Sequence, residues 1–429
     1  MEVSRYFSAR NITGLNEEFN GIRSALFEKG IKTSYENDEV GKRMVFHLDN
    51  NAKVSQLTQG CNGLVLERDS WKPLVIPPFT SNGGQPNCTI VNQFLKDDHY
   101  DIYPVQDGTL INVYWYEGTW RISTTRSYDV TTLKFTNSPY TYQYLMDDIL
   151  KHTIDQSFEQ FTSKLNPQYS YSFIITHPEV HLYWKTRKDP YKITFVQKAF
   201  LMDGTRSYEN DLEIPAQTKV NLKEFIDDTI TVELLQDICA YDISNPTSYA
   251  SIARKKYNPE LVDLFKFGVI LRSRHPEITK QMSYFTLESR EYRDIKSMLY
   301  DSNIHKSMIT IQYDRENFLV LRSYLSTVHH DQFITMFPQY RELYYKIEKR
   351  IRCLIQHIER LYTTEKTGST KTTSKTRFPA IVNAIKGKID EISTINVDRE
   401  EDRQRIYKFV HNVSMIALVY EYVFVSASE

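Results

Sequence analysis

The sequence predicts an α+β protein, with antiparallel sheets and flanking helices over residues 1–290 and an all-helical domain over 291–429. Three observations carry this. Before residue 290 the apolar residues fall in short alternating or aromatic runs separated by turn residues, the period-2 signal of strands. From about Glu291 they recur at helical spacing. At 429 residues the chain is also too long for one ordinary domain, so the change of period marks a domain boundary.

Taken in order, Asn16–Lys29 reads as a helix and Leu64–Leu66 as a strand, with Asn82-Gly83-Gly84 as a turn after it. Asp107-Gly108 turns the chain into strands Leu110–Trp115 and Trp120–Thr124, and Tyr140–Leu165 follows as one helix. Tyr171–Thr176, His181–Trp184 and Lys192–Leu201 read as strands, Asp203-Gly204 as a turn and Leu222–Tyr241 as a helix. In the last third Leu343, Ile347, Ile351, Leu354, Ile355, Ile358 and Leu361 form an apolar face, with Arg341, Lys346, Lys349, Arg350 and Arg360 mainly between them. Thr363–Thr376 has almost no apolar residue and predicts a mobile basic loop reaching about residue 377. Lys366, Lys371, Lys375 and Arg377 in it suit phosphate contacts. Arg403–Val425 closes the chain as a further helix.

A formal net charge of -1 excludes a whole-molecule field that draws in polyanions, so any nucleic-acid contact must be local. Cys61, Cys88, Cys239 and Cys353 form no CxxC pair, which argues against a zinc site or a disulfide scaffold. The first 20 residues lack a signal-peptide core, and the apolar run Met415–Val425 is broken by Glu421. It is far short of the roughly 20 residues of a membrane helix, so the expectation is a soluble cytoplasmic protein with no membrane partner. The 30 tyrosines and 22 phenylalanines are read first as core and sheet packing. His329-His330-Asp331 reads as a polar helix end, and His177-Pro178-Glu179-Val180-His181 as a turn with two exposed imidazoles. Asp147-Asp148 and Asp227-Asp228 read as solvated carboxylates. No metal site is expected, and no Walker loop, dinucleotide fingerprint, serine elbow or HExxH occurs.

Several segments before residue 300 share an order with known motifs. Cys61-Asn62-Gly63-Leu64-Val65-Leu66-Glu67 and Lys72 to Phe79 come first, then Tyr103-Pro104-Val105-Gln106-Asp107-Gly108 and Trp120 to Ser127. Tyr171 to Val180 follows, then Phe267-Gly268-Val269-Ile270-Leu271-Arg272-Ser273 and Tyr284 to Tyr292. Together they resemble the motifs of the RNA ligase 1 family of T-even phages, within the covalent nucleotidyltransferases. The resemblance implies a ligase-like domain followed by a helical one, a viral source, and ATP with Mg²⁺ as cofactors of the active members. The helical tail implies tRNA or another structured RNA as partner, with proteins of a larger assembly.

The departures fall on the residues that carry the chemistry. Val105 stands where the family's nucleophilic lysine stands, and an isopropyl group has no lone pair to attack a phosphate. The adenosine-binding glutamate aligns with Ile174, the metal-organising glutamate with Phe267, and the phosphate-binding lysines with Thr286 and Glu288. The upstream arginine positions are Asn62 and Pro77, and Arg126 keeps one phosphate contact. The resemblance therefore implies a degenerate member with no catalytic residue, no bound cofactor and a role in binding RNA or proteins. An active ligase with a displaced nucleophile and an unrelated α+β structural protein are the alternatives.

Overall fold

The computed structural model describes residues 17–35, 43–49, 52, 56–68, 70–80, 100–135, 139–181, 188–217, 219–220, 264–273, 284–289, 292–293, 315–326, 333–334, 337–367, 378–391, 400–412 and 415–425. The chain divides into two units, Met1–Asp294 and Ile295–Glu429. The expected turn at Asn82-Gly83-Gly84, the helix Leu222–Tyr241, and the pairs Asp227-Asp228 and His329-His330 lie outside the described residues.

In the first unit helix α1 (Glu17–Glu28) leads into a sheet of β1 (Ile31–Tyr35), β2 (Arg43–Leu48), β3 (Leu64–Glu67) and β4 (Pro73–Val75), in that spatial order. A five-stranded sheet follows, with β6 (Thr109–Tyr116), β7 (Thr119–Ser123), β8 (Tyr169–Thr176), β9 (Lys192–Phe200) and β10 (Arg206–Ser207) in the order β10-β9-β8-β6-β7. A third sheet joins β5 (Tyr100–Pro104) to β11 (Gly268–Ser273) and β12 (Tyr284–Glu288), with β11 central. Neighbouring strands in all three sheets pair antiparallel.

The alternation expected of half-buried strands organises the middle sheet. Ile111, Val113, Phe173, Ile175, Ile193 and Phe195 face a core that includes Met146, Ile149, Leu150, Phe158 and Phe161. Those residues come from α2 (Tyr142–Ile154) and α3 (Phe158–Thr162). On the opposite face Tyr114 packs on Val45, Val65 and Val75 of the first sheet. Arg43 fastens the two sheets together. Its guanidinium donates to Asp129 at 2.9 Å and to the Tyr114 hydroxyl at 3.2 Å, and it lies over the rings of Tyr116 and Tyr128.

The structure corrects several expectations. The single helix over Tyr140–Leu165 is two helices. Asp155 takes a left-handed conformation that ends the first, and Ser157 starts the second through a reciprocal capping box with Gln160. Asp147 is no solvated carboxylate: it accepts the Phe158 amide at 2.9 Å and pairs with Lys151 at 2.6 Å. Its proton affinity is set by burial acting upward and by these donors acting downward; the donors win, and its pKa falls below the ordinary carboxylate value. His181, the described residue of the expected strand His181–Trp184, lies in the turn that follows β8.

In the second unit α4 (Arg315–Ser326) precedes the long α5 (Arg341–Thr367), followed by α6 (Phe378–Asp390) and α7 (Glu400–Val410). The buried seam of α5 is Tyr344, Ile347, Ile351, Leu354, Ile358 and Tyr362. Leu343, Ile355 and Leu361 flank that seam. Because α5 continues to Thr367, the expected loop over Thr363–Thr376 starts at least five residues too early; Lys371, Lys375 and Arg377 lie outside the described residues. The expected helix Arg403–Val425 is also interrupted: α7 ends in a turn at His411, and α8 (Ile416–Tyr420) runs into a π-turn, Glu421–Val425. No helix among the described residues is long and apolar enough to cross a membrane.

Candidate functional site

Across the first unit, the middle sheet and the three-stranded sheet enclose a cleft of about 330 Å³. Strand alternation decides which residues face it. Leu110 of β6, Ile174 of β8 and Val196 of β9 line one side, one position from core residues Ile111, Ile175 and Phe195. Ile270, Tyr284, Thr286 and Glu288 line the other, Thr286 lying directly across from Ile270 and Glu288 across from Gly268. A shift in register between Ser172 and Phe173 allows both Val196 and Gln197 to serve this side of β9.

The end wall comes from the segment after β4. Ile76 donates its amide to Ser170 Oγ at 3.1 Å and accepts from Gln197 Nε2 at 3.1 Å, which ties this segment to the sheet. The Pro77 carbonyl accepts from Nε and Nη2 of Arg206, whose guanidinium lies 4.0 Å from the centre of the Phe79 ring. Pro78, Phe79 and Thr80 then line the cleft beside Asn62. Asn62 spends its Oδ1 on the Leu48 amide at 3.1 Å.

Val105 sits at the mouth of β5, 7% exposed, with its amide donating to the Gly268 carbonyl at 2.9 Å. Ile174, Thr286 and Glu288 line the same cleft. Phe267 lines a second hollow of about 180 Å³ that shares Val105, Gln106 and Ile174 with the first. The structure thus gathers all five positions singled out in the sequence around one strand end.

Asp107 and Gly108 form the turn between β5 and β6. A side chain at Gly108 would meet the Ile175 carbonyl at 2.6 Å, while buried Asp107 accepts from the Tyr292 hydroxyl at 3.1 Å. Arg126 lies elsewhere, exposed in the turn after β7, and is not among the described residues lining either hollow.

Residues outside the aligned motifs complete the cleft. Gln217 accepts from Arg272 at 3.3 Å, and Arg272 is held between the rings of Tyr103 and Tyr208 at 4.4 and 3.7 Å. Arg293 supplies a guanidinium to the lining. Burial pushes the Tyr103 and Tyr284 phenols above the ordinary tyrosine range, so neither supplies a phenolate base near neutral pH.

ATP and Mg²⁺ do not fit this donor set. Glu288 is the one carboxylate among the described residues lining the larger cleft, and no lysine is among them. A carboxylate set against a phosphate charge repels it by about 4 kcal/mol at 4 Å for an effective dielectric near 20. One carboxylate is also too few oxygen ligands to organise Mg²⁺.

The histidine turn after β8 differs from its expected form. His177 and His181 are 1% and 4% exposed. His177 Nδ1 accepts the Glu179 amide at 3.1 Å, so its proton sits on Nε2 and is donated to Asp148 at 2.9 Å. His181 Nδ1 accepts the His177 amide at 3.0 Å, and its Nε2 donates to Thr109 at 2.9 Å. Asp148 is therefore bound to an imidazole rather than solvated. Through Thr109 the histidines brace the strand that starts at the Asp107-Gly108 turn.

No protein-family model matches the sequence. The chain is 28% identical over 324 residues, 72% of its length and 68% of the relative's, to a protein named "Putative RNA-ligase" from the Badajoz strain of African swine fever virus. It is 26% identical over 321 residues, 71% of its length and 68% of the relative's, to the protein of that name from the Malawi tick isolate. Among solved structures it is similar to "Putative ATP-dependent DNA ligase from Aquifex aeolicus", with TM-score 0.39 and 11% identity over 77% of this chain and 79% of that one. It is also similar to "Archaeal ATP-dependent RNA ligase - form 1", with TM-score 0.36 and 10% identity over 80% of this chain and 82% of that one.

Proposed function

We propose that this chain, a homologue of viral proteins named as RNA ligases, is a noncatalytic RNA-ligase-like viral protein. It binds RNA, a tRNA or another structured RNA, and works with protein partners in an RNA-processing or transcription assembly. One observation carries the reading: Val105, Ile174, Thr286 and Glu288 line one cleft, and no lysine is among its described lining residues. Adenylation needs an amine that attacks the α-phosphate and cations that hold the triphosphate while pyrophosphate leaves. This lining supplies one carboxylate, one guanidinium from Arg293 and otherwise uncharged side chains instead.

Incubation with α-labelled ATP or GTP and Mg²⁺, followed by denaturation, tests the loss of catalysis. The expected outcome is no covalent protein-nucleotide adduct; a stoichiometric adduct overturns the reading. RNA binding is tested by a salt titration of labelled tRNA. Affinity should fall steeply with salt, and the slope should flatten when Lys366, Lys371, Lys375 and Arg377 are changed together to glutamine. Binding at background level in low salt would leave only the protein-scaffold role.

The second reading is an active nucleotidyltransferase with a displaced nucleophile. It is favoured by Lys192 and Lys266, which line the smaller hollow beside Val105. Mapping any adduct to one of these lysines would establish it.

A further inference from the structure

A guanidinium keeps its charge at every pH a folded protein meets, so a buried arginine calls for a counter-charge or a full set of acceptors. Arg272 has neither. It is 6% exposed, and no carboxylate of the described residues forms an ion pair with it. Its Nη2 donates to Gln217 Oε1 at 3.3 Å, and its Nε is buried with no acceptor among the described residues. Asp101, the carboxylate opposite Arg272 on β5, is held by Lys219 at 2.7 Å. The rings of Tyr103 and Tyr208 are centred 4.4 and 3.7 Å from the guanidinium carbon, so they take its faces and leave its edge for acceptors.

The neighbours of Arg272 belong to the larger cleft. It shares a strand face with Ile270, two residues away, and pairs with Tyr284 of β12. Ile270, Tyr284 and Gln217 all line the cleft, whose opposite wall of Leu110, Ile174 and Val196 is apolar. The Gln217 backbone is fixed, its amide donating to the Phe195 carbonyl at 2.9 Å, and only the long bond from Arg272 holds its side chain. Glu288 stands across from Gly268, four residues down β11 from Arg272 and so about 13 Å away along the strand. Arg272, Lys219 and Asp101 together carry one positive charge, which suits a monoanion better than a dianion. The cleft, about 330 Å³, has room for about ten water-sized groups.

We propose that the cleft binds a monocarboxylic acid with an apolar body of about eight carbons. Its carboxylate takes the Nε and Nη2 edge of Arg272 side-on, in place of Gln217 Oε1, and its chain lies along Leu110, Ile174 and Val196. Two parallel charge-assisted hydrogen bonds then replace one neutral bond of 3.3 Å. Arg272 reads the anion, and the Gln217 side chain turns aside to admit it. The site makes no use of a nucleotide or a nucleic acid, so it stands whether or not the chain binds RNA.

The test uses the full chain and three probes, octanoate, octanamide and octyl phosphate, with binding read by titration calorimetry. Octanoate should bind at least about tenfold tighter than octanamide, the factor that separates charge-assisted from neutral hydrogen bonds, and tighter than octyl phosphate. In Arg272→Met, whose unbranched side chain still packs between the rings, octanoate should fall to the octanamide level while octanamide itself is unchanged. Gln217→Ala leaves the guanidinium in place and should bind octanoate at least as tightly as the wild-type chain, which decides the matter if the arginine variant does not fold. Absence of octanoate binding, or equal binding of acid and amide by the wild-type chain, overturns the site. So does a preference for the acid that survives in Arg272→Met, or loss of octanoate binding in Gln217→Ala. Tighter binding of octyl phosphate overturns the choice of a carboxylate.

Discussion

The two faces of the five-stranded sheet obey different constraints. On one face Ile111, Val113, Phe173, Ile175, Ile193 and Phe195 are no more than 1% exposed and pack against the helices. One residue along the same strands, Leu110, Ile174, Thr176, Lys192, Thr194 and Val196 line the two hollows. Packing polices the first face, where a change of one methylene is felt by every neighbour. The second face packs on the first sheet through Tyr114 and, beside that contact, lines the two hollows. The helix-packed face can therefore stay intact while the residues that line the hollows change.

The largest effect that distinguishes the faces is expected at Phe173 and its neighbour. Phe173→Ala removes a fully buried ring and should cost about 3–5 kcal/mol, read as a lower urea midpoint with an unchanged slope. Ile174→Gln, one position along and half-buried toward the cleft, should cost no more than about 1 kcal/mol. Equal losses at the two positions would erase the distinction.

Next in size is Gly268, which holds a left-handed φ of 118° where a side chain would run into the Leu287 carbonyl. Gly268→Ala should cost about 1–3 kcal/mol in backbone strain, with the clash added. Thermal unfolding of the variant measures this. A wild-type melting temperature would mean that β11 and β12 are not as close as described.

A smaller cost, about 1–3 kcal/mol with no clash added, is expected when Asp148→Ala leaves the buried His177 Nε2–H without its acceptor. Asp148→Asn retains an acceptor oxygen and should lose much less. Identical losses in the two variants would show that the carboxylate charge, not the hydrogen bond, matters to His177.

How much of this was legible in the chain follows from the range of each signal. Strands β6 to β9 were readable because alternation is local, and a buried Phe173 beside a cleft-facing Ile174 is that alternation made physical. The break at Asp155 was readable too, from Ser157-x-x-Gln160, but the apolar residues on both sides of it masked the capping box. The burial of His177 and His181 was not legible, because it depends on Asp148 and Thr109, which lie 29 and 72 residues away in sequence. Cleft residues Gln217 and Arg293 carry no local pattern of their own; they enter the site only because Arg272 and the third sheet bring them there. Lys192 and Lys266 were invisible for the same reason, since one belongs to a strand and the other to a turn far along the chain.

The smallest expected effect is the most informative about the cleft face. Val105→Lys returns an amine to the strand end, where residue 105 is 7% exposed and its amide is already fixed by the Gly268 carbonyl. If a missing nucleophile were the sole defect, this variant would label itself with AMP. The amine, however, would stand in a cleft whose described lining offers Glu288 and Thr286 in place of the aligned phosphate lysines, and Ile174 where the aligned glutamate would meet the ribose. A nucleophile accelerates nothing until its target is held at attack distance. The expected adduct after incubation with labelled ATP and Mg²⁺ is therefore nil, and adding Ile174→Glu, Phe267→Glu, Thr286→Lys and Glu288→Lys should be needed before labelling appears. Labelling of the single variant would mean that the cleft still holds a triphosphate, and that the cleft face has been conserved nearly as strictly as the core behind it.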